Sequence, residues 1–301
     1  MSQRIPRLAL RALLFASLAV APLSAQDRAP GATPAPGGGV VTDFAAVQRS
    51  KVYTATRTRD PIVVDGRVDE PAWQAAGVGG GFFQTDPVTG APATQDTEFR
   101  ILYDEDQIYV AVTAYQSDPI IVSEMKREFA ALDGDMVVLF FDPFDDDRNG
   151  FAFHTNPAGA MRDQQIAGGV ANENWDGIFE VASQIQPWGW TAEFAIPFKT
   201  LRFDDSESEQ VWGFNIQRIM RARNEWVQWS PAPRPLRIFE ASIAGTLQGI
   251  EGVSQGRNLK VKPFVVANRD AGDVAIPGQD ALDAGVDVKV GLSSQLTLDL
   301  T

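Results

Sequence analysis

Residues 135–157, Asp-Met-Val-Val-Leu-Phe-Phe-Asp-Pro-Phe-Asp-Asp-Asp-Arg-Asn-Gly-Phe-Ala-Phe-His-Thr-Asn-Pro, constrain the fold more than any other stretch. Met136 to Phe141 is an unbroken apolar run rich in β-branched and aromatic side chains. It is too short for an independent helix and ends at Asp142-Pro143, so it reads as a strand covered on both faces. From Gly150 the pattern alternates: Phe151, Phe153 and Thr155 share one face, and Ala152, His154 and Asn156 the other. Between the two runs lie Asp142, Asp145, Asp146 and Asp147, with Pro143, Asn149 and Gly150. The stretch predicts a central antiparallel hairpin with an acidic tip, covered by strands from the rest of the chain.

Those strands are legible as short alternating or apolar runs. They fall at Thr97–Tyr103, Ile108–Tyr115, Ala160–Ile166, Ile178–Ile185, Trp190–Ile196, Val211–Ile219, Glu225–Trp229 and Ala241–Leu247. Ile62–Val64 reads as a further short strand ending in the Asp65-Gly66 turn. One helix is expected, at Asp69-Glu-Pro-Ala-Trp-Gln-Ala-Ala76, plugging one end of the sheet structure. Asp69 would cap it, Pro71 fits its first turn, and Trp73 and Ala76 share a face. Regular short strands with turn signals between them predict an all-β sandwich or barrel. The absence of long helical periods argues against a parallel α/β sheet.

Composition then removes whole classes of function. The net charge is −13 with no basic block, which makes nucleic acid a poor partner. No cysteine is present, so disulfides and thiolate chemistry are excluded. The single histidine, His154, excludes a site built on two imidazoles and reads as a packed or surface residue. Arg4, Arg7 and Arg11 precede the apolar run Ala12–Ala21 and Leu23-Ser-Ala25. That order predicts a secretory signal peptide over residues 1–25 and export to the periplasm, outer membrane or cell surface. Residues 26–50, rich in proline and glycine, read as a linker, and residues 51–252 as the sandwich.

After Gly252 the pattern changes. Leu259, Val261, Pro263 and Val265 alternate with polar residues, as do Val286, Val288, Val290 and Leu292, then Leu296, Leu298 and Leu300. Residues 253–301 thus offer amphipathic strands of the kind an outer-membrane barrel uses, or extra strands of a soluble sandwich. A barrel needs about eight strands or more, so closure would require strands beyond Thr301.

Several pieces together carry a family resemblance. They are Val63-Val-Asp-Gly-Arg-Val-Asp-Glu-Pro-Ala-Trp73, Leu139-Phe-Phe-Asp-Pro-Phe144, Phe153-His-Thr-Asn-Pro157, Asn174-Trp-Asp-Gly177, and Gly189-Trp-Thr-Ala-Glu-Phe-Ala-Ile-Pro-Phe198 with Leu201-Arg-Phe203. This set resembles the family 9 carbohydrate-binding-module-like domain, in the form that precedes an outer-membrane β-barrel in bacterial proteins. The resemblance implies a jelly-roll-like antiparallel β-sandwich, sugar binding and structural calcium.

Sugar binding draws attention to the seven tryptophans, since an indole stacks on the apolar face of a pyranose. Trp73, Trp190 and Trp212 sit at apolar periodic positions and are expected in the core. Trp175 and Trp188 lie in turns, Trp175 between Asn174 and Asp176. Trp226 and Trp229 lie near a strand end. The expected ligand-binding set is Trp175, Trp188, Trp226, Asn174 and Asp176, for an oligosaccharide or polysaccharide. Asp142, Asp145, Asp146 and Asp147 are the expected calcium ligands, or else a solvated acidic turn. No catalytic constellation stands out: there is no Gly-x-Ser-x-Gly elbow, and nothing marks Glu180 and Glu193 as a cleft pair. The expected function is non-catalytic sugar binding, with a structural or gating role beside a barrel as the alternative.

Overall fold

The computed structural model describes residues 39–130, 132–234, 236–255, 259–269, 280–291 and 297–300. The expected signal peptide, most of the proline- and glycine-rich stretch, and Leu292 and Leu296 lie outside the described residues. In chain order the elements are α1 (Phe44–Ser50), β1 (Val52–Thr54), β2 (Thr56–Arg57), α2 (Pro71–Ala75), β3 (Phe83–Asp86), β4 (Thr97–Tyr103) and β5 (Gln107–Tyr115). Then follow β6 (Met136–Asp142), β7 (Asn149–Thr155), β8 (Met161–Ala167), β9 (Val170–Asn172), β10 (Glu180–Gln186), β11 (Gly189–Pro197), β12 (Glu209–Met220), β13 (Glu225–Gln228) and β14 (Gly245–Glu251). Last come β15 (Leu259–Arg269), β16 (Asp280–Gly291) and β17 (Thr297–Leu300).

The hairpin of residues 135–157 is β6 and β7, and it lies in mid-sheet. The order β1-β14-β12-β6-β7-β8-β9, with β13 on β12 and β3 on β13, makes a nine-stranded sheet. A five-stranded sheet, β10-β11-β5-β4-β2, packs against it. The alternation read in β7 is realised. Phe151 and Phe153 join Val137, Leu139, Phe141, Trp212, Phe214 and Ile216 in the layer between the sheets. Val110, Phe194 and Trp190 meet them from the other side. Burying each such side chain contributes roughly 1.5–3 kcal/mol, so this layer dominates stability. Trp73, Trp190 and Trp212 are all fully buried, as their positions implied.

Both outer faces are also covered. On the nine-stranded sheet, Met136, Val138, Phe140, Ala152 and Ile219 meet Ile238 and Ala241 from the segment that follows β13. The Phe140 ring sits so close to the next strand that a Cβ at Gly150 would stand 2.5 Å from it. Only glycine admits the ring there. On the five-stranded sheet, Ala72, Trp73 and Ala76 cover Leu102, Tyr109, Ala111 and Ala195.

Four local expectations change. The helix α2 lies on a sheet face rather than plugging an end, because Trp73 must bury its indole on that face. Its N-cap is Glu70 rather than Asp69. Residues 62–64 form no strand; Ile62 and Val64 pack on the same layer as Trp73 without a backbone partner to extend a sheet. Ordered structure also reaches into the expected linker, where Asp43 caps α1 by accepting from the Ala46 N–H.

The strands β15, β16 and β17 form a three-stranded antiparallel sheet. Register sets Val261 opposite Val288, Pro263 opposite Val286, and Val288 opposite Leu300, so apolar residues share one face. Val261, Val265, Val286, Leu298 and Leu300 are exposed. No closed barrel is formed among the described residues.

Candidate functional site

Register builds a polar row across the outer face of the nine-stranded sheet. Gln228 on β13 stands opposite Gln217 on β12, Gln217 opposite Val138, Val138 opposite His154, and His154 opposite Arg162. In the rows on either side, Trp226 stands opposite Ile219, and Gln164 opposite Ala152. Above these rows lies a cavity of about 700 Å³, roofed in part by Leu236, Ile238 and Phe239. That size suits a small organic ligand.

The floor of the cavity holds buried polar side chains, some without a hydrogen-bond partner among the described residues. His154 is 1% exposed and Gln228 0% exposed. Both amide atoms of Gln228 make no hydrogen bond among the described residues, and the His154 ring has the Gln164 side chain beside it. Each such group costs roughly 1–3 kcal/mol when left unpaired. Burial, and secondarily the Arg162 charge, push the His154 imidazole down to about 3. It is therefore neutral at pH 7 and offers one donor and one acceptor. Gln228 and Gln164 add amides, and the half-buried Trp226 adds an aromatic wall.

The rim is charged. Arg162 donates to the Phe129 carbonyl at 3.0 Å and to Glu173 at 2.6 Å, and Gln164 Nε2 shares that carboxylate at 3.1 Å. Arg234 pairs with Asp86 and donates to the Thr85 carbonyl at 3.2 Å.

The structure does not gather the residues expected to bind sugar. Trp226 lines the cavity. Trp175 stacks on Phe151 at 5.0 Å and packs against the core between the sheets. Its neighbours Asn174 and Asp176 are exposed; the Asn174 N–H donates to Asn172, and Asp176 pairs with Arg127 at 2.8 Å. Trp188, 43% exposed, sits at the turn between β10 and β11 with its ring 5.3 Å from Tyr115. Trp229, expected near the surface, is buried against Phe99 and Phe214. The polar floor was missed in the sequence. The signal for it was Gln217 within Phe214-Asn-Ile-Gln-Arg-Ile-Met220, a polar side chain on a strand otherwise buried at both faces.

Two carboxylates of the acidic turn, Asp142 and Asp146, accept from its own backbone. Asp142 is buried and accepts from the Phe144 N–H at 3.2 Å and the Asp147 N–H at 3.0 Å. Burial first, then the Asp146 charge, push it up to about 6. Asp146 accepts from the N–H groups of Arg148 and Asn149, both at 2.9 Å, and Asp145 and Asp147 adopt left-handed backbone. No group of three or more His, Asp or Glu side chains is disposed to hold a metal among the described residues. Asp142 and Asp146 thus turn oxygens into their own loop.

Glu193 is the other buried carboxyl. It accepts from Gly66 N–H and Trp73 Nε1, each at 2.9 Å, and from Asp65 N–H at 3.2 Å. Burial, then the Glu70 charge, raise it to about 7. These bonds tie the turn before α2 to β11, which is a structural role.

Residues 64–234 match the family model described as carbohydrate family 9 binding domain-like. No curated protein matches the chain. Among solved structures it is similar to a protein from Bacteroides uniformis ATCC 8492 proposed to be carbohydrate-binding. The TM-score there is 0.53 at 15% identity, over 66% of this chain and 98% of that one. A carbohydrate binding module family 9 from Caldicellulosiruptor kristjanssonii in complex with cellotriose matches with TM-score 0.46 and 15% identity. That match covers 66% of this chain and 93% of the other. At such identity the first likeness speaks for the sandwich fold alone.

Proposed function

The chain belongs to the carbohydrate family 9 binding domain-like family, and from that premise we propose that it binds carbohydrate without catalysis, in the cavity on the outer face of the nine-stranded sheet. One observation carries this reading: Gln228 is buried, lines the cavity and has both amide atoms without a partner among the described residues, with His154 and Gln164 also buried in the lining. Sugar hydroxyls donate and accept at once, as do an amide and a neutral imidazole. Trp226 supplies a flat apolar surface for the face of the ring. One aromatic contact of roughly 1.5–3 kcal/mol with a few hydrogen bonds gives an affinity near millimolar, about 4 kcal/mol.

Calorimetric titration of the chain with oligosaccharides to tens of millimolar tests the site. Saturable heat that is lost in Gln228→Leu is expected. Saturable heat unchanged in that variant would move the sugar elsewhere, with Trp188 beside Tyr115 the next surface to try.

The place of the domain in the cell is part of the same proposal. The basic, then apolar N-terminus supports export to the cell envelope. The exposed apolar face of β15, β16 and β17 supports association with the outer membrane through a barrel. A structural role beside that barrel is the second reading, favoured by the same face. Fractionation checks it: recovery of the whole chain in the soluble fraction counts against membrane association.

A further inference from the structure

The cavity rim carries a charge opposite to that of the chain. Acidic residues outnumber basic ones 39 to 26 overall. Yet Arg162, Arg221, Arg234 and Arg237 line the cavity against only Asp86 and Glu173. Two of these arginines are matched: Arg162 by Glu173 and Arg234 by Asp86. The other two are not. Arg221 donates to the neutral Asn224 Oδ1 at 2.6 Å. Neither Arg221 nor Arg237 pairs with a carboxylate among the described residues, and both are exposed at the mouth.

Taking the cavity as a sugar site, we propose that its ligand is an anionic saccharide, one bearing a carboxylate or a sulfate ester that Arg221 and Arg237 grip at the mouth. The division of labour is chemical. The amides and imidazole of the floor suit hydroxyls, and the neutral His154 adds no charge there. The two guanidinium forks match a planar carboxylate or a sulfate oxygen pair. Both carboxylates of the wall already have arginine partners, so an arriving anion meets no unmatched negative charge. Because Arg221 and Arg237 face solvent, their contribution is sensitive to salt.

The test uses ligand pairs that share a sugar skeleton and differ in charge. An oligogalacturonate and its methyl ester form one pair; a sulfated disaccharide and its desulfated form make the other. Each is titrated into the full chain at about 20 mM and about 200 mM salt, where the screening length differs roughly threefold. At least one anionic member is expected to bind about tenfold tighter than its neutral partner at low salt, with the gap narrowing at high salt. Which pair shows the gap identifies the anion. In Arg221→Gln/Arg237→Gln the gap should close through loss of affinity for the anionic member. Both side chains lie on the surface, so folding should be unaffected, and circular dichroism checks this. Equal binding of charged and neutral members overturns the anionic class but leaves the sugar site standing. A gap that survives the double substitution overturns the assignment to these arginines. Neutral oligosaccharides that bind, are lost in Gln228→Leu and are not displaced by any anionic saccharide would also sink the inference while sparing the site. If no saccharide of either kind binds, the sugar reading fails first and the inference with it.

Discussion

The two faces of β12 bury polar side chains under opposite rules. On the face turned to the other sheet, Arg218 is fully buried and its terminal nitrogens meet four acceptors. They are the Asp96 carbonyl and Thr97 Oγ1, each at 2.9 Å, the Tyr115 carbonyl at 2.7 Å and Gln116 Oε1 at 2.9 Å. Only its Nε lacks a partner. On the opposite face the row through Gln217 leads to His154 and to Gln228, whose amide atoms are buried beneath the cavity without a partner among the described residues. Arg218 fastens the start of β4 and the end of β5 to the nine-stranded sheet. In the outer row the Gln228 side chain fastens nothing among the described residues. A buried polar group with partners serves the fold; one without partners beneath a cavity is, on the proposed reading, the group that a ligand would satisfy.

Substitutions break this contrast in a defined order. Arg218→Leu removes one donor fork and strands four acceptors, so a loss of about 3–5 kcal/mol is expected from urea unfolding. A loss below about 1 kcal/mol would mean that the inner face tolerates open polar groups as well.

Buried titratable groups sharpen the contrast through pH. His154, depressed to about 3, stays neutral in the fold while its unfolded counterpart takes a proton near 6.5. Its stabilising share is present above pH 6.5 and is lost as pH falls towards 3, by up to about 1.4 kcal/mol per pH unit. His154→Gln should flatten this acid loss in pH-dependent denaturation, and an unchanged slope would place the imidazole in water.

Glu193, on the outer face of the five-stranded sheet, has the opposite sign. Its folded value, raised to about 7 from 4.5, makes its share full below pH 4.5 and lost as pH rises through 7. Glu193→Gln should abolish that term. It should also cost about 1–3 kcal/mol, because an amide cannot accept from Trp73 and from the Asp65–Gly66 backbone together. Stability equal to the parent at every pH would show those bonds to be dispensable.

The smallest effect on stability is expected at Gln228→Leu. It removes two unpartnered atoms, so unfolding should shift by less than about 1 kcal/mol in either direction, while saccharide affinity falls at least tenfold. A large loss of stability would make Gln228 a fold residue and erase the difference between the faces.

Much of the fold was legible because a strand has a period of two. Phe151 and Phe153 against Ala152 and His154, or Trp190 and Phe194 along β11, declare their faces locally, and the structure places them so. The tryptophans were harder. Trp73, Trp190 and Trp212 lie in periodic runs and are core, but Trp175 and Trp229 look like surface aromatics and pack inward on Phe151 and Phe99. Turn position does not say which way an indole points when a neighbouring sheet has a space to fill.

The sequence by itself determined an all-β architecture around the hairpin of β6 and β7, and the core-facing side chains of its periodic runs. Periodicity is local, so it is written in adjacent residues. Tertiary structure alone decided the cavity. Its floor joins Arg162, His154, Gln217 and Gln228, residues on four different strands, through the register of pairs that no local pattern specifies. It also decided that α2 would cover a sheet and that Asp142 would turn its carboxylate into its own loop. Each outcome follows from which partners long-range pairing brings within hydrogen-bond reach.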